Sequence, residues 1–451
     1  MNNSFPPAFE HRMRQRLGED WNAFANILQS ASPTSIRRNP FKRTQKTAGT
    51  PVPWSRHGYY LEERPVFTLD PTLHAGAYYV QEASSMFVEL ALQQSVDLAA
   101  PLRVLDLCAA PGGKSTLLAG MLNEESLLVS NEVIRSRAGI LAENLQKWGT
   151  DNVVVTNNDP QDFQRLPGFF DVIIVDAPCS GEGLFRKDPE AMKEWSEDNV
   201  QLCSKRQRRI LSDVWGTLKE NGILIYSTCT YNNLENEDNL RWLREEHHVE
   251  FLSVAVDADW GIEEVTESTM KGYRFYPHRI RGEGFFLSVI RKKEPEDESR
   301  IRGLKNFFTL PSKKIMESLQ HWIHKSEEKT FIQRDDLIQF FPSSKQEAIG
   351  MLIKNLKIVS AGTFMATVKH DKLIPEHALA LSIHLRQDHF EKLDVTLEDA
   401  LHYLRKETLA PVADRKGFAL VMYDQLPLGW VNILPNRINN LYPSDWRIRM
   451  S

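Results

Sequence analysis

The chain has 451 residues, which at roughly 150 residues per domain leaves room for about three domains, each able to bury a core of its own. Hydrophobic residues make up 41% and charged residues 25%, ordinary values for a globular protein, and no run approaches the roughly 18 consecutive apolar residues of a membrane span. Four cysteines, and an N-terminus without a basic stretch ahead of an apolar one, exclude a disulfide-stapled secreted module and lead to the expectation of a cytoplasmic protein, while a formal net charge of −5 excludes a generally basic polyanion binder, so any nucleic-acid surface must be local.

In chain order, residues 1–98 mix short helical patterns with prolines (Pro51, Pro53, Pro65, Pro71) and read as a small appended domain. Its first 60 residues hold nine Lys/Arg against three Asp/Glu, including Arg37, Arg38, Lys42 and Arg43. There is no internal repeat. From 103 onward short apolar runs alternate with amphipathic stretches: RVLDL, a helix from about Lys114, SLLVSNEV, a helix from about Ile134, NVVVTNND, FDVIIVDAP and GILIYSTCT. Strand, crossover and strand in that rhythm predict a parallel sheet. Between the fourth and fifth runs Leu202, Arg206, Ile210, Val214 and Leu218 predict one row of a helix. The segment EPEDESR (294–300) has no apolar residue and reads as a linker. Beyond it lie a middle region to 378 and a small β-rich terminal domain, in which VMYDQLPLGWVNIL predicts two strands around a turn.

The loop after the first run, Asp106 to Ser115, stands where an α/β sheet binds nucleotide-like ligands. A phosphate-binding P-loop requires glycine at 108, which is Cys108. A dinucleotide fingerprint requires spaced glycines, whereas Gly112 and Gly113 are adjacent and follow Pro111. S-adenosylmethionine fits better, because it lacks phosphates and needs carboxylates for its ribose hydroxyls and its amino group. Asp106, Glu132, Asp159 and Asp176 follow four successive strands. Each alone reads as a solvated strand-end carboxylate; four at one sheet edge read as a site.

Cys179 follows the fourth strand and Cys229 the fifth, so adjacent parallel strands set both thiols on the edge that carries the cofactor loop. Neither belongs to a CxxC pair, and His247 and His248 sit in a helical pattern, so no metal is expected. A disulfide does not suit a reducing compartment. The C5 carbon of cytosine becomes nucleophilic when a thiolate adds to C6, and a second acid–base group beside the first then helps to expel it. Asp176 is placed to hydrogen-bond the N3 and N4 edge of that base. Which thiol attacks is left open by the chemistry. Cys108, inside the cofactor loop, and Cys203, on a helix, read as structural.

DLCAAPGGKS (106–115), NE (131–132), ND (158–159), DAPCSGEG (176–183) and YSTCT (226–230) resemble the motifs of the Nop/Sun family of RNA cytosine-C5 methyltransferases. SIRRNPFK (35–42) and HAGAYYVQEASSM (74–86) resemble its N-terminal segment, and GWVNILPNRINNLYPSDWRIR (429–449) resembles the RNA-capture domain of the bacterial ribosomal RNA methyltransferase F subgroup. The resemblance spans most of the chain. It implies an α/β, class I S-adenosylmethionine-dependent methyltransferase with a Rossmann-like, seven-stranded and mostly parallel sheet. By the same resemblance an N-terminal α+β RNA-binding domain occupies 1–98, the catalytic domain 99–293, a linker and middle domain 294–378, and a PUA-like domain 379–451. Cys229 becomes the nucleophile and Cys179 the group assisting product release. The cofactor residues become Cys108, Ala109, Ala110, Pro111, Gly112, Gly113, Lys114, Glu132, Asp159 and Asp176. One departure is Pro40 after Asn39, where the family more often has threonine, a change expected to alter the RNA contact and not the chemistry.

These readings converge on a monomeric enzyme without metal that makes 5-methylcytidine in 16S ribosomal RNA or the small subunit. Arg37, Arg38, Lys42 and Arg43 at one end and Arg437, Arg447 and Arg449 at the other are expected to hold the RNA backbone, with Trp446 or Tyr442 stacking on a base. The rival readings are the same chemistry on transfer RNA, and a ribosome-assembly factor that binds RNA without turnover. The two cysteines and four acids speak against the second rival. A DNA substrate is weaker than either.

Overall fold

The five apolar runs form the parallel half of one large sheet in the computed structural model, which describes residues 5–43, 49–296, 308–370, 372–410 and 415–450. Arg103–Asp106, Leu127–Asn131, Val153–Thr156, Phe170–Asp176 and Leu218–Thr228 run parallel, in the spatial order third, second, first, fourth, fifth. Phe285–Lys292 pairs antiparallel with the fifth strand, and Met270–Phe275 pairs with it in turn. Helices cover both faces, so the runs are apolar throughout and do not alternate; every residue of Leu127–Asn131 is buried.

Three more strands extend this seven-stranded core to ten: Glu263–Glu267, Val249–Leu252 and Ile358–Ala361. The last pairs antiparallel with Val153–Thr156 and comes from the expected middle region. The helix Gln346–Asn355 places Ile349 and Leu352 in the same apolar core as Phe163 and Leu166. The described part of 294–378 therefore shares the catalytic sheet and its core, and it also forms a four-stranded sheet of its own from Lys329–Arg334, Leu337–Pro342, Thr363–Lys369 and Lys372–Pro375.

The helix before the fifth strand spans Glu197–Trp215 and starts where Ser196 accepts a hydrogen bond from the Asn199 N–H at 3.1 Å. Its inner face is Val200, Cys203, Gln207, Ile210, Leu211 and Val214. The predicted row was wrong at both ends: Leu202 is 56% exposed and Leu218 opens the strand. A strict four-residue step drifts around a helix of 3.6 residues per turn, so the buried face steps by three and four.

At the N-terminus, Pro7–Leu17 and Trp21–Leu28 pack Phe9, Met13 and Phe24 against Phe185, Trp195 and Tyr231, which follow the two cysteine loops. A four-stranded sheet containing Thr34–Arg38 and Tyr78–Val80 follows. The C-terminal sheet comprises Glu391–Asp394, Gly417–Tyr423, Leu426–Leu434 and Arg437–Asn440. Its predicted hairpin turns at Asp424 and Gln425, both left-handed, as a two-residue turn between twisted strands requires. Tyr403, Leu428 and Tyr442 of this part share a core with Ile36, Ala77 and Tyr78 of the N-terminal part. Among the described residues no helix is long and apolar enough to cross a membrane.

Candidate active site

The direction of winding reverses between the first and fourth strands, and ligands of such sheets bind in the crevice outside that switch point. Leu107 donates its N–H to Ile174 O at 3.0 Å, which brings the loop 106–115 and the loop after Asp176 side by side. Gly112 precedes the helix Gly113–Met121 with a left-handed φ of 116°, a conformation that disfavours any side chain, and an added Cβ would stand 3.4 Å from Asn144 and Leu141. The Ala109 N–H donates to Asn131 O at 2.8 Å, while Arg137 and Asn144 donate to Ala110 O and Pro111 O, each at 2.8 Å. The rigid loop edges a cavity of about 510 Å³ lined by Tyr79, Gln81, Glu82, Cys108, Lys114 and Asp176 among others.

Asp106 is fully buried and accepts from Ser115 Oγ at 2.6 Å, while its Oδ1 has no protein partner. Burial pushes its carboxyl up to about 7. Lys114 Nζ lies 2.7 Å from Asp176 Oδ2, and Ser227 Oγ donates to Asp176 Oδ1 at 2.9 Å. Burial works against the Lys114 charge, but the Asp176 carboxylate more than offsets it and the ammonium is held above its ordinary range. Burial also pushes the Cys108 thiol up, which suits an inert part of the loop. Glu132 is 4% exposed at the end of the second strand, where its carboxylate accepts from the Ile134 N–H at 2.8 Å and faces Arg137 at 3.5 Å. Asp159 accepts from the Gln161 N–H at 3.1 Å and pairs with Arg209 at 3.2 Å. Neither Glu132 nor Asp159 lines the cavity. An unpartnered buried oxygen at Asp106, a glycine whose φ disfavours any side chain and a cavity lined by Cys108, Lys114 and Asp176 fit a ligand with an ammonium group and ribose hydroxyls.

The register sets Asp176 opposite Ser227, and the Ala177 N–H donates to Ser227 O at 2.8 Å. Three residues beyond the first and two beyond the second, the sulfurs of Cys179 and Cys229 come within 3.1 Å. The hydrogen bond to Cys229, then burial and the nearby Glu235 carboxylate, push the Cys179 thiol up. Sequence reasoning missed the groups that hold this arrangement. Glu235 accepts from Ser180 N at 2.8 Å and from Ser180 Oγ, and Gln207 donates to Pro178 O and to Glu235, each at 3.0 Å. Burial pushes Glu235 up to about 7. Glu182, fully buried, accepts from the Tyr231 N–H at 3.1 Å, from Trp195 at 3.0 Å and from Arg12 at 2.6 Å, and so ties the N-terminal helix to both cysteine loops. The motif DAPCSGEG contained Glu182, but nothing in the sequence separates Glu235 from the acids beside it.

The expected RNA contacts divide. Arg37 is 2% exposed; it donates to Gln81 at 2.7 Å and to Thr116 Oγ1 at 2.6 Å and stacks over Trp148. Lys42 donates to Ala75 O at 2.8 Å and to Lys147 O at 2.5 Å. Burial lowers Arg37 to about 9 and Lys42 to about 7. Both are internal braces rather than phosphate contacts, because their donors are taken up by Gln81, Thr116 and the carbonyls of Ala75 and Lys147. Arg38 is half-buried over the Tyr59 ring. Tyr442 is fully buried and cannot stack on a base, and the half-buried Trp446 packs edge-on to His377 beneath the Lys147 ammonium. Arg43, Arg437, Arg447 and Arg449 are exposed.

A doubly wound sheet with a glycine cradle, a cavity and acidic groups at its switch point defines a class I methyltransferase, and S-adenosylmethionine is the methyl donor. Residues 94–291 match the family described as 16S rRNA methyltransferase RsmB/F, 5–83 the N-terminal domain of 16S rRNA methyltransferase RsmF, and 390–448 the methyltransferase RsmF PUA domain. The ribosomal RNA small subunit methyltransferase F of Shewanella loihica is 33% identical over 99% of this chain and 95% of its own length. The protein of the same name from Escherichia coli strain CFT073 is 31% identical over 98% and 96%. Among solved structures, a methyltransferase homolog protein from Pyrococcus horikoshii is 27% identical, with a TM-score of 0.55 over 64% of this chain and 96% of its own. NSun6 from the same organism, at 18% identity and a TM-score of 0.54 over 65% and 100%, shares the fold. The chain belongs to the RsmB/F methyltransferase family.

Proposed function

We propose that this enzyme methylates C5 of a cytosine in 16S ribosomal RNA through a covalent adduct between Cys229 and C6 of the base. The 3.1 Å approach of Cys179 and Cys229 beside the Lys114–Asp176 pair carries this reading. S-adenosylmethionine, when bound in the cavity edged by 108–114, supplies the methyl group as an electrophile. Asp106 Oδ1 is the acceptor left for its amino group, and the acids Glu132 and Asp159 stand at the ends of the next two strands.

The thiolate of Cys229 forms a bond to C6, and the C5–C6 electron pair becomes available at C5, which takes the methyl group. The C5 proton then passes to solvent, the C5–H electron pair re-forms the C5–C6 double bond, the C6–S bond breaks, and the Cys229 thiolate departs with that bond's electron pair. Cys179, whose surroundings keep its proton on sulfur, is the acid–base group beside that leaving thiolate. Asp176, fixed by Lys114 and Ser227, accepts from the 4-amino group and orients the ring. A small-subunit substrate is favoured over transfer RNA by the whole-length relatives, whose names specify it.

RNA containing 5-fluorocytidine tests the chemistry, because fluorine at C5 does not leave as a proton does. A denaturation-resistant adduct is expected with the wild-type chain and none with Cys229→Ala. Bisulfite sequencing of 16S ribosomal RNA from cells with and without the gene tests the substrate. A cytidine protected equally in both overturns it.

A further inference from the structure

Arg37 and Lys42 brace the interior, so the N-terminal half must offer RNA a different basic surface if it offers one at all. A trough of about 1050 Å³ lies between the turn at 27–34, residues Leu61 to Arg64 and the segment 277–281. Four arginines border it, Arg64, Arg186, Arg279 and Arg281. They fall into two pairs. Arg279 is neutralised by Asp20 at 2.8 Å and Glu263 at 2.9 Å, and Arg186 donates to Ala31 O at 2.6 Å with Glu283 at 3.8 Å. These two build the wall.

Arg64 and Arg281 are different. Both are exposed and neither forms an ion pair among the described residues, while the exposed Glu62 lines the same trough. Each guanidinium rests on a ring, Arg281 4.6 Å from the centre of Tyr60 and Arg64 5.4 Å from that of Phe67. A guanidinium stacked on a ring keeps its plane fixed and can receive a phosphate through its edge N–H groups, although one Arg281 nitrogen also donates to Leu61 O at 3.4 Å. Ile27, Leu61 and Ile280 give the trough an apolar floor suited to sugar and base.

The segment that walls the trough runs on towards the cysteine loops. Glu283 donates its N–H to Glu82 at 2.9 Å, and Glu82 lines the cofactor cavity. Gly284 O packs against Gly183, whose own N–H donates to Cys229 O at 2.8 Å. The segment that walls the trough therefore continues directly behind the catalytic loop. A cytidine must be splayed from its neighbours to reach that loop, so its flanking nucleotides approach as a single strand.

We infer that this trough holds the single-stranded RNA flanking the target cytidine, with Arg64 and Arg281 receiving its phosphates, an inference that rests on the RNA methyltransferase reading above. The test uses the full chain, Arg64→Gln, Arg281→Gln, the double variant and the corresponding lysine variants. Fluorescence anisotropy measures binding of a labelled single-stranded, cytidine-containing RNA oligonucleotide across salt concentrations, and calorimetry measures S-adenosylmethionine affinity. Each glutamine substitution is expected to weaken RNA binding about tenfold and to make the log–log salt slope shallower by about 0.7, the increment of one single-strand phosphate contact. The lysine variants keep the slope and lose part of the affinity, and cofactor affinity stays at the wild-type value throughout. Wild-type RNA affinity and slope in the double variant overturn the trough while leaving the methyltransferase reading intact. A wild-type chain that neither binds nor methylates RNA overturns both.

Discussion

The sulfurs of Cys179 and Cys229 stand 3.1 Å apart because two parallel strands place Asp176 opposite Ser227, and each chain then turns into a loop fixed from behind by Glu235, Gln207 and Glu182. On the mechanism proposed above, one thiol attacks while the other remains beside it as the bond to C6 is broken. Cys179→Ala is therefore expected to stall after methyl transfer and to accumulate a covalent complex on ordinary RNA. A denaturing gel reads this as a slowed band that Cys179→Ala with Cys229→Ala abolishes. A band with Cys229→Ala alone exchanges the two roles.

Stability should depend on pH through the buried carboxyls. Asp106 and Glu235 are both raised to about 7 by burial. Raised acids favour the protonated folded form, so their contribution is fully present below the unfolded carboxyl range and is lost as pH climbs from about 4 through about 7. Asp106→Asn removes one such loss. In urea titrations it should be more stable than wild type by about 2 kcal/mol at pH 8, with the gap closing near pH 4. An unchanged gap at both pH values defeats the assignment.

Arg37→Met should act on folding. It strands the buried oxygens of Gln81 and Thr116 that the guanidinium satisfies, a loss of about 2 to 4 kcal/mol. RNA binding by the folded protein should keep its wild-type salt slope. A shallower slope with unchanged stability returns Arg37 to the RNA surface.

The exposed C-terminal arginines remain candidates for the backbone. Arg447 and Arg449, with Arg405, border an open cleft of about 900 Å³. Arg447→Gln with Arg449→Gln is expected to flatten the salt dependence of RNA binding by about 0.7 to 0.9 per lost contact, with cofactor affinity intact. A chain ending near residue 380 is a poorer probe, because it strips Tyr403, Leu428 and Tyr442 from the core shared with Ile36 and Tyr78.

Much of the site was legible because its determinants are local. A loop that leaves a strand and opens a helix must carry glycine where φ is positive, as Gly112 does, and each strand-end acid or thiol either closes its strand or follows it within three residues. Parallel strands deliver all those ends to one edge whatever the rest of the chain does.

Tertiary structure decided what depended on partners distant in sequence. Whether a basic residue faces solvent is not written in its neighbours: Arg37 and Arg38 are adjacent, yet one is sealed against Trp148 while the other lies half-buried on Tyr59. Ile358–Ala361 joins the catalytic sheet from beyond a charged linker, and Glu235 reaches back 55 positions to hold Ser180. The sequence by itself determined the succession of strand-end motifs and the residue types they bring to one sheet edge, because backbone geometry and residue type fix those over short range. Only the folded chain decided which charges are spent inside, as burial is set by the packing of segments that the sequence keeps far apart.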